Sequence, residues 1–116
     1  MSQGIFIALE GAENSNTAAQ FHLLKERLTA IGHEVATFKF PSYEGESSYF
    51  IKRYLGGYYG PMDQVSPYSV ALFYALDRFD QAAKIKEELA KGKIVLAHSY
   101  VGSTMATQVS LFSDLV

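Results

Sequence analysis

The sequence predicts an α/β protein with three layers, in which helices cover both faces of a parallel sheet. Three short apolar runs, each typical of a buried strand, alternate with segments whose apolar residues recur at helical spacing. Because a strand, a crossover and a second strand form a right-handed βαβ unit, this alternation indicates parallel pairing. The 116 residues, 48% of them apolar, are enough for one domain, residues 1–116.

The first two predicted strands enclose the first helix. Ile5–Leu9 is a continuous apolar run and suits a strand buried on both faces. Residues 17–31 follow a polar stretch and are predicted to form a helix that ends before Gly32. The second strand is predicted over residues 35–40, before Pro41. The apolar stripe of the helix is predicted to consist of Phe21, Leu24, Leu28 and Ile31.

The second half of the chain contains the longest predicted helix. Residues 48–55 are predicted as a short helix, and the glycine-containing stretch 56–65 as a loop. Ser66 and Pro67 are typical N-cap and first residues of a helix, which is expected to continue to about Lys91. The remaining predicted elements are a third buried strand over residues 94–97 and a last helix over residues 103–116.

Composition and charge exclude several classes of function. Ten Lys and Arg residues against 12 Asp and Glu residues give a net charge of −2, which does not suit a nucleic-acid-binding polycation. The chain has no Cys and three scattered His residues, so no metal site is expected. No apolar run reaches the roughly 18 residues of a membrane span, and the start of the chain lacks the charge of a signal peptide. We therefore expect a cytoplasmic protein.

The loop after the first strand is the place where a mononucleotide-binding α/β fold holds phosphate. A Walker A loop needs two framing glycines, then a Lys for the phosphate charge and a Ser or Thr for Mg²⁺. Gly11 is the first glycine in that register, whereas Asn16, Thr17 and Ala18 stand at the other three positions. Gly11 could also simply end a strand, and the polar residues could form only a turn in which Asn16 caps the helix. The candidate phosphate loop, in this degenerate form, consists of Gly11, Glu13, Ser15, Asn16, Thr17 and Ala18.

A series of short motifs follows the loop in one order along the chain. They are Leu9-Glu10-Gly11, Phe40-Pro41-Ser42-Tyr43, Tyr54-Leu55-Gly56-Gly57-Tyr58-Tyr59-Gly60, Ser66-Pro67-Tyr68, Leu72-Phe73-Tyr74-Ala75-Leu76-Asp77-Arg78-Phe79, Gly92-Lys93-Ile94-Val95-Leu96 and Tyr100-Val101-Gly102-Ser103. Together they resemble the thymidylate kinase family, of a bacterial kind with an F-P-x-Y motif and a Y-L-x-G-x-Y-G loop. The resemblance covers residues 4 to about 108. It implies a P-loop fold with a parallel sheet of strand order 2-3-1-4-5. It also implies that the protein transfers the γ-phosphate of ATP to dTMP, with Mg²⁺.

The resemblance also assigns substrate-binding positions. Phe40 and Pro41 would border the dTMP site, and the ring of Tyr74 would stack on thymine, although Tyr74 could equally belong to the core. Arg78 takes the position of an arginine beside the base and the monophosphate, and Arg53 that of a helix arginine that reaches the phosphate. The positions assigned to the sugar and its surroundings are Tyr100, Ser103, Gln108 and Glu13.

The departures from the family fall on the groups that transfer phosphate. His98 and Ser99 replace an Asp and a phosphate-clamping Arg after the third strand. Thr17 and Ala18 replace the Lys and the Mg²⁺-binding hydroxyl of the phosphate loop. We therefore expect an inactive or very weak kinase with no assigned catalytic or metal-binding residue. ATP and Mg²⁺ are cofactors only if some kinase activity remains.

The resemblance further implies that the last strands and the lid are absent, which places the first strand at a sheet edge. An apolar edge strand readily pairs with another chain. Either the chain is a fragment, or another polypeptide covers this surface. Thymidylate kinases are typically homodimers through helices, an interface that would leave the first strand uncovered. We expect a homo-oligomer or a different partner chain at the strand-one edge.

The leading interpretation is a degenerate thymidylate-kinase-like protein that binds a dTMP-like nucleotide or serves as a partner subunit. The alternative is a dTMP kinase that is active only with groups supplied by another chain. A sequence deliberately stripped of its functional residues is a third interpretation.

Overall fold

The computed structural model describes residues 3–11 and 16–102 of the chain. Its strands are β1 (Ile5–Leu9), β2 (Val35–Lys39) and β3 (Ile94–His98). Its helices are α1 (Thr17–Ala30), α2 (Tyr49–Leu55) and α3 (Pro67–Ala90), with single 3₁₀ turns at Glu46–Ser48 and Met62–Gln64. The predicted last helix, residues 103–116, lies outside the described residues.

The three strands form a parallel sheet in the order β1-β3-β2. Ile94 of β3 lies opposite both Ile5 of β1 and Val35 of β2, so all three strands begin and end at the same level. The carboxyl ends of the strands therefore meet at one edge of the sheet. This parallel sheet with its crossover helices confirms the predicted α/β class.

The core is built around the middle strand. Val95 and Ala97 of β3 are fully buried and form one cluster with Ile85 of α3 and Phe40, the residue after β2. Burial of this kind is expected for a parallel strand that is covered on both faces. The four consecutive buried residues of β3 therefore confirm the prediction of a buried third strand.

β1 is more exposed than its sequence predicts. Ile5 is 60% exposed, and Ala8 is exposed as well, so the prediction of burial on both faces is wrong. Within residues 3–11 and 16–102, β1 has β3 on one side and no strand on the other. An edge strand has fewer neighbours to shield its side chains, which accounts for the difference.

Two details of α1 differ from the sequence prediction. Asn16 stands at the N-cap position, but its side chain makes no capping hydrogen bond, so that part of the helix-cap interpretation is wrong. The helix ends at Ala30, and Ile31 is 72% exposed instead of completing the apolar stripe. Gly32 follows with a φ of 101°, the left-handed conformation that glycine adopts readily after a helix.

α3 begins as its sequence predicts. The hydroxyl oxygen of Ser66 accepts a hydrogen bond from the N–H of Tyr68 at 3.3 Å, and Pro67 occupies the first turn. The helix continues for 24 residues to Ala90 and packs against β3, α2 and the 3₁₀ turn before α2. No helix in the described part of the chain is both long enough and apolar enough to cross a membrane.

Candidate functional site

The candidate site lies at the carboxyl ends of the strands, where three loops leave the sheet. The N–H of Ser99 donates to the carbonyl oxygen of Leu9, and the N–H of Phe40 donates to that of His98, each at 2.9 Å. These bonds continue the sheet pairing one residue beyond β3 and β2. The segments after β1, β2 and β3 are thereby held side by side, which is the usual location of a ligand site in a parallel sheet.

Tyr100 is the centre of an aromatic cluster at this edge. Its ring lies 5.3 Å from that of Phe6 and 5.4 Å from that of Phe40, both in edge-to-face geometry. The guanidinium carbon of Arg78 lies 5.5 Å from the centroid of the Tyr100 ring, within the range of a cation–π interaction. Tyr100 therefore contacts Phe40 and Arg78, and the resemblance assigns all three residues to the substrate.

Two further predicted residues adjoin this cluster. Pro41 follows Phe40 through a cis peptide bond and is half-buried. Tyr74 is half-buried on α3, four residues before Arg78. Because residues four apart share one face of a helix, Tyr74 and Arg78 lie on the same side of α3.

Arg53 belongs to a different neighbourhood. Its guanidinium carbon lies 3.9 Å from the centroid of the Tyr58 ring and 4.8 Å from that of Tyr49. The nearby amine of Lys52 donates to the carbonyl oxygen of Gly45 at 3.3 Å. Arg53 and Lys52 border an open depression of about 770 Å³. The residues that line it are Glu44, Gly45, Glu46, Tyr49, Lys52 and Arg53.

Glu10 lies at the candidate site, although the sequence analysis did not assign it there. Its carboxylate accepts hydrogen bonds from the N–H groups of Tyr100 (2.5 Å) and Gly102 (2.7 Å). A Cβ atom on Gly102 would lie 2.2 Å from Oε2 of Glu10, so a larger residue there would displace the Glu10 carboxylate. The motif Leu9-Glu10-Gly11 is visible in the sequence, but nothing local indicates that Glu10 anchors a segment some 90 residues away.

His98 and Ser99 occupy positions where the family resemblance implies an acid and a cation. The ring of His98 lies 5.3 Å from that of Phe21 in α1. Burial, and secondarily the positive charge of Lys39, lower the pKa of His98 below its ordinary value of 6.5, which favours the neutral imidazole. Ser99 adopts a left-handed conformation with a φ of 66°.

The candidate phosphate loop is described only in part. Gly11 is half-buried, and Asn16, Thr17 and Ala18 form the N-cap and the first residues of α1. Asn16 has a φ of −86°, so it does not adopt the left-handed conformation that its residue type tolerates. Four predicted site residues lie outside the described part of the chain: Glu13, Ser15, Ser103 and Gln108.

The described residues of this edge do not fit the Mg²⁺ of an ATP complex. Mg²⁺ prefers oxygen ligands, whereas Ala18 has no side-chain oxygen and His98 presents an imidazole. The carboxylate of Glu10 is already bound by two N–H groups. Residues 3–11 and 16–102 contain no group of three or more His, Cys, Asp or Glu side chains that could hold a metal ion.

Comparison with known proteins identifies sequences that are similar to this chain. A family model described as Thymidylate kinase matches residues 9–111. The human thymidylate kinase is 32% identical over 104 residues, which is 90% of this chain and 47% of that protein. The thymidylate kinase of Caulobacter vibrioides is 33% identical over 93% of this chain and 51% of its own length. The chain therefore spans about half the length of these curated relatives.

Solved structures of similar proteins have the same fold. A thymidylate kinase from Candida albicans superposes with a TM-score of 0.73 at 21% identity, over 91% of this chain and 44% of that chain. A thymidylate kinase from Ehrlichia chaffeensis superposes with a TM-score of 0.70 at 26% identity, over 98% and 65% of the two chains. These neighbours confirm the expected P-loop type of α/β fold.

The lowered pKa of His98 predicts a specific pH dependence of stability. As the pH falls, His98 is protonated near pH 6.5 in the unfolded chain but only at a lower pH in the folded chain. Protonation therefore stabilises the unfolded chain, and the free energy of unfolding decreases as the pH falls below 6.5. The substitution His98→Asn should therefore reduce the loss of unfolding free energy between pH 7.5 and pH 5.5. Urea unfolding at the two pH values measures this loss.

The matched control is His33→Asn, because His33 is exposed. This variant should lose as much stability over that pH interval as the unmodified chain does. An equal loss of unfolding free energy in His98→Asn and in the unmodified chain would contradict the lowered pKa of His98.

Proposed function

Because the chain belongs to the thymidylate kinase family, we propose that it is a cytoplasmic member that has lost phosphoryl transfer and retains binding of a dTMP-like nucleotide. The observation that carries the proposal is an asymmetry in the candidate site. Tyr100 lies against Phe40 and Arg78, which the resemblance also assigns to the nucleoside monophosphate, whereas Arg53 lies elsewhere and the positions assigned to transfer carry uncharged side chains.

The transfer positions lack the charges that this reaction requires. Enzymes catalyse phosphoryl transfer mainly by positioning the reactants and stabilising negative charge with cations. Thr17, Ala18 and Ser99 supply neither a positive charge nor the usual Mg²⁺ ligand set. The loss of one hydrogen bond to a charged group costs about 1.5–3 kcal/mol, and about 1.4 kcal/mol of barrier corresponds to one decade in rate. The combined replacements predict a rate that is lower by several orders of magnitude.

The substrate side of the cleft keeps suitable chemistry. The half-buried ring of Tyr100 lies at the carboxyl end of β3, where a base can stack on it, and the buried ring of Phe40 supports it from the core. The planar guanidinium of Arg78 can form two parallel hydrogen bonds to a phosphate. Tyr74 shares the helix face of Arg78 and supplies a further ring. This combination favours a nucleoside monophosphate over a triphosphate complexed with Mg²⁺.

The alternative is a dTMP kinase that is active only with groups from another chain, and one observation favours considering it. In the described part of the sheet, β1 has no strand on one side and exposes Ile5. A strand from another polypeptide could pair with that edge. The same surface supports the proposal that the chain acts as a partner subunit.

A second copy of the chain is the other proposed partner. Large apolar side chains are exposed along α3 at spacings of four, four and three residues, which places them on one helix face. Burial of such a face against an equivalent face gives the self-complementary contact of a twofold dimer. The exposed residues of this α3 face are Tyr68, Leu72, Leu76 and Phe79.

A coupled assay with ATP, dTMP and Mg²⁺ tests the loss of transfer. The chain should show turnover below about 1 s⁻¹, the low end of ordinary enzymes, while calorimetry with millimolar dTMP should detect heat of binding. Turnover above that rate would contradict the proposal, and the absence of heat would reject nucleotide binding.

The restored variant distinguishes the proposal from its alternative. It combines Asn16→Gly, Thr17→Lys, Ala18→Ser, His98→Asp and Ser99→Arg. A rise in turnover in this variant alone would mean that the rest of the site is complete. If turnover appears only after addition of a second polypeptide, the alternative is correct.

Light scattering at tens of micromolar protein tests the partner proposals. The α3 face predicts a species heavier than one chain, which Leu72→Asp should convert to a monomer. The matched control is Leu23→Asp on α1, because Leu23 is 52% exposed and Leu72 is 56% exposed. This control should leave the mass unchanged. A purified monomer that captures no other polypeptide would contradict both partner proposals.

A further inference from the structure

Asp77 is a buried acid for which the site described above has no use. It lies on α3, one residue before Arg78, and is 1% exposed. Its Oδ2 atom accepts a hydrogen bond from the N–H of Ser42 at 2.8 Å, and its Oδ1 atom accepts one from the hydroxyl of Ser47 at 2.5 Å. Within the described part of the chain, the carboxylate forms hydrogen bonds but no ion pair. Both hydrogen bonds hold one segment, residues 42–48, which we call the β2 loop.

A second buried polar residue closes the β2 loop from within. Ser48 is fully buried, and its hydroxyl donates to the carbonyl oxygen of Ser42 at 2.8 Å, with that of Gly45 3.1 Å away. Asp77 and Ser48 therefore act on the same few residues, Asp77 from α3 and Ser48 from inside the loop.

Other side-chain hydrogen bonds of the β2 loop are made by Lys52, whose amine donates to the carbonyl oxygen of Gly45, and by Ser42, whose hydroxyl donates to that of Lys39. The sequence of the β2 loop is Ser-Tyr-Glu-Gly-Glu-Ser-Ser, and its one large apolar side chain, Tyr43, is exposed. A polar segment of this kind cannot be anchored by burial of apolar surface. Burying a carboxylate is unfavourable unless it is hydrogen-bonded, so a buried acid that serves one loop is a specific device for fixing that loop.

The position of the β2 loop relates directly to the nucleotide cleft. It follows Phe40 and Pro41, and the ring of Phe40 contacts Tyr100. On α3, Asp77 holds the β2 loop, while the next residue, Arg78, lies over Tyr100. Adjacent residues of one helix therefore connect the segment after β2 with the segment after β3. A shift of the β2 loop relative to α3 is also a shift relative to Arg78.

We propose that Asp77 is a positioning residue that holds the β2 loop against α3, as a fixed wall of the nucleotide cleft beside Arg78. This inference rests on the proposed binding of a dTMP-like nucleotide. Asp77 does not touch the nucleotide and acts only through Ser42 and Ser47. The wall is set before the ligand arrives, so the loop does not have to be ordered during binding.

The test combines calorimetry with dTMP and amide hydrogen exchange in the intact chain. Asp77→Ala removes both acceptor oxygens, whereas an Asn side chain could still accept from the Ser42 N–H and donate to the Ser47 hydroxyl. In Asp77→Ala the amide of Ser42 should lose protection, the amides of Leu96 and Ala97 in β3 should keep theirs, and dTMP should bind about tenfold more weakly, equivalent to ~1.4 kcal/mol. The control Asp80→Ala alters an exposed acid on the same helix and should change neither readout.

A second variant keeps the test decisive if Asp77→Ala does not fold. Ser47→Ala removes one bond to Asp77 and leaves the Ser42 bond, so it should weaken dTMP binding by about threefold, with the sheet amides unchanged. Unchanged dTMP binding in a folded Asp77→Ala, or in Ser47→Ala, would overturn the proposal. Retained protection of Ser42 in Asp77→Ala would overturn it as well.

The two readouts separate this inference from the proposed function. If the unmodified chain binds no dTMP, the proposed function fails and the β2 loop is not a nucleotide wall. Hydrogen exchange at Ser42 then still shows whether Asp77 holds the loop. If the unmodified chain binds dTMP and Asp77→Ala binds it equally well, the proposed function stands and the positioning role fails.

Discussion

The pairing of β3 with a strand on each side is the constraint on which the rest of the structure depends. Its residues are buried because β1 and β2 flank it and helices pack against the sheet. The shared register brings all three carboxyl ends to one level, and backbone bonds from Ser99 and Phe40 extend the pairing. Tyr100 follows Ser99 at this level, and its N–H donates a hydrogen bond to the carboxylate of Glu10. The contacts among Phe40, Arg78 and Tyr100 follow from that placement.

The fold was largely predictable because its signals are local. Apolar runs identified the three strands, and Ser66 with Pro67 identified the start of α3. The errors concern information that a local pattern does not contain. Helical spacing assigned Ile31 to a buried stripe, but it could not show that the helix ends one residue earlier. An apolar run indicated that β1 is a strand, but burial of its faces depends on neighbours that the run does not specify.

The family resemblance supplied the positions of Phe40, Arg78 and Tyr100, and the structure places Tyr100 in contact with the other two. Their assignment to a nucleotide stays a prediction. The contacts of Glu10 and Asp77 could not be predicted because their partners are distant in sequence and are mostly backbone N–H groups, which leave no residue-type signal. An acid that binds backbone looks, in sequence, like any other polar residue on a loop or helix. Glu10 holds the segment after β3, and Asp77 holds the β2 loop.

We propose that the chain keeps the nucleoside monophosphate side of its site and has lost the side that holds and transfers the γ-phosphate. Backbone-amide NMR of the ¹⁵N-labelled chain, titrated separately with dTMP and with ATP plus Mg²⁺, distinguishes the two sides. Addition of dTMP should shift the amides of Arg78 and Tyr100, while ATP plus Mg²⁺ should leave those of Asn16, Thr17 and Ala18 unchanged. Saturable shifts at Asn16, Thr17 and Ala18 with ATP plus Mg²⁺ would show that the phosphate side is retained.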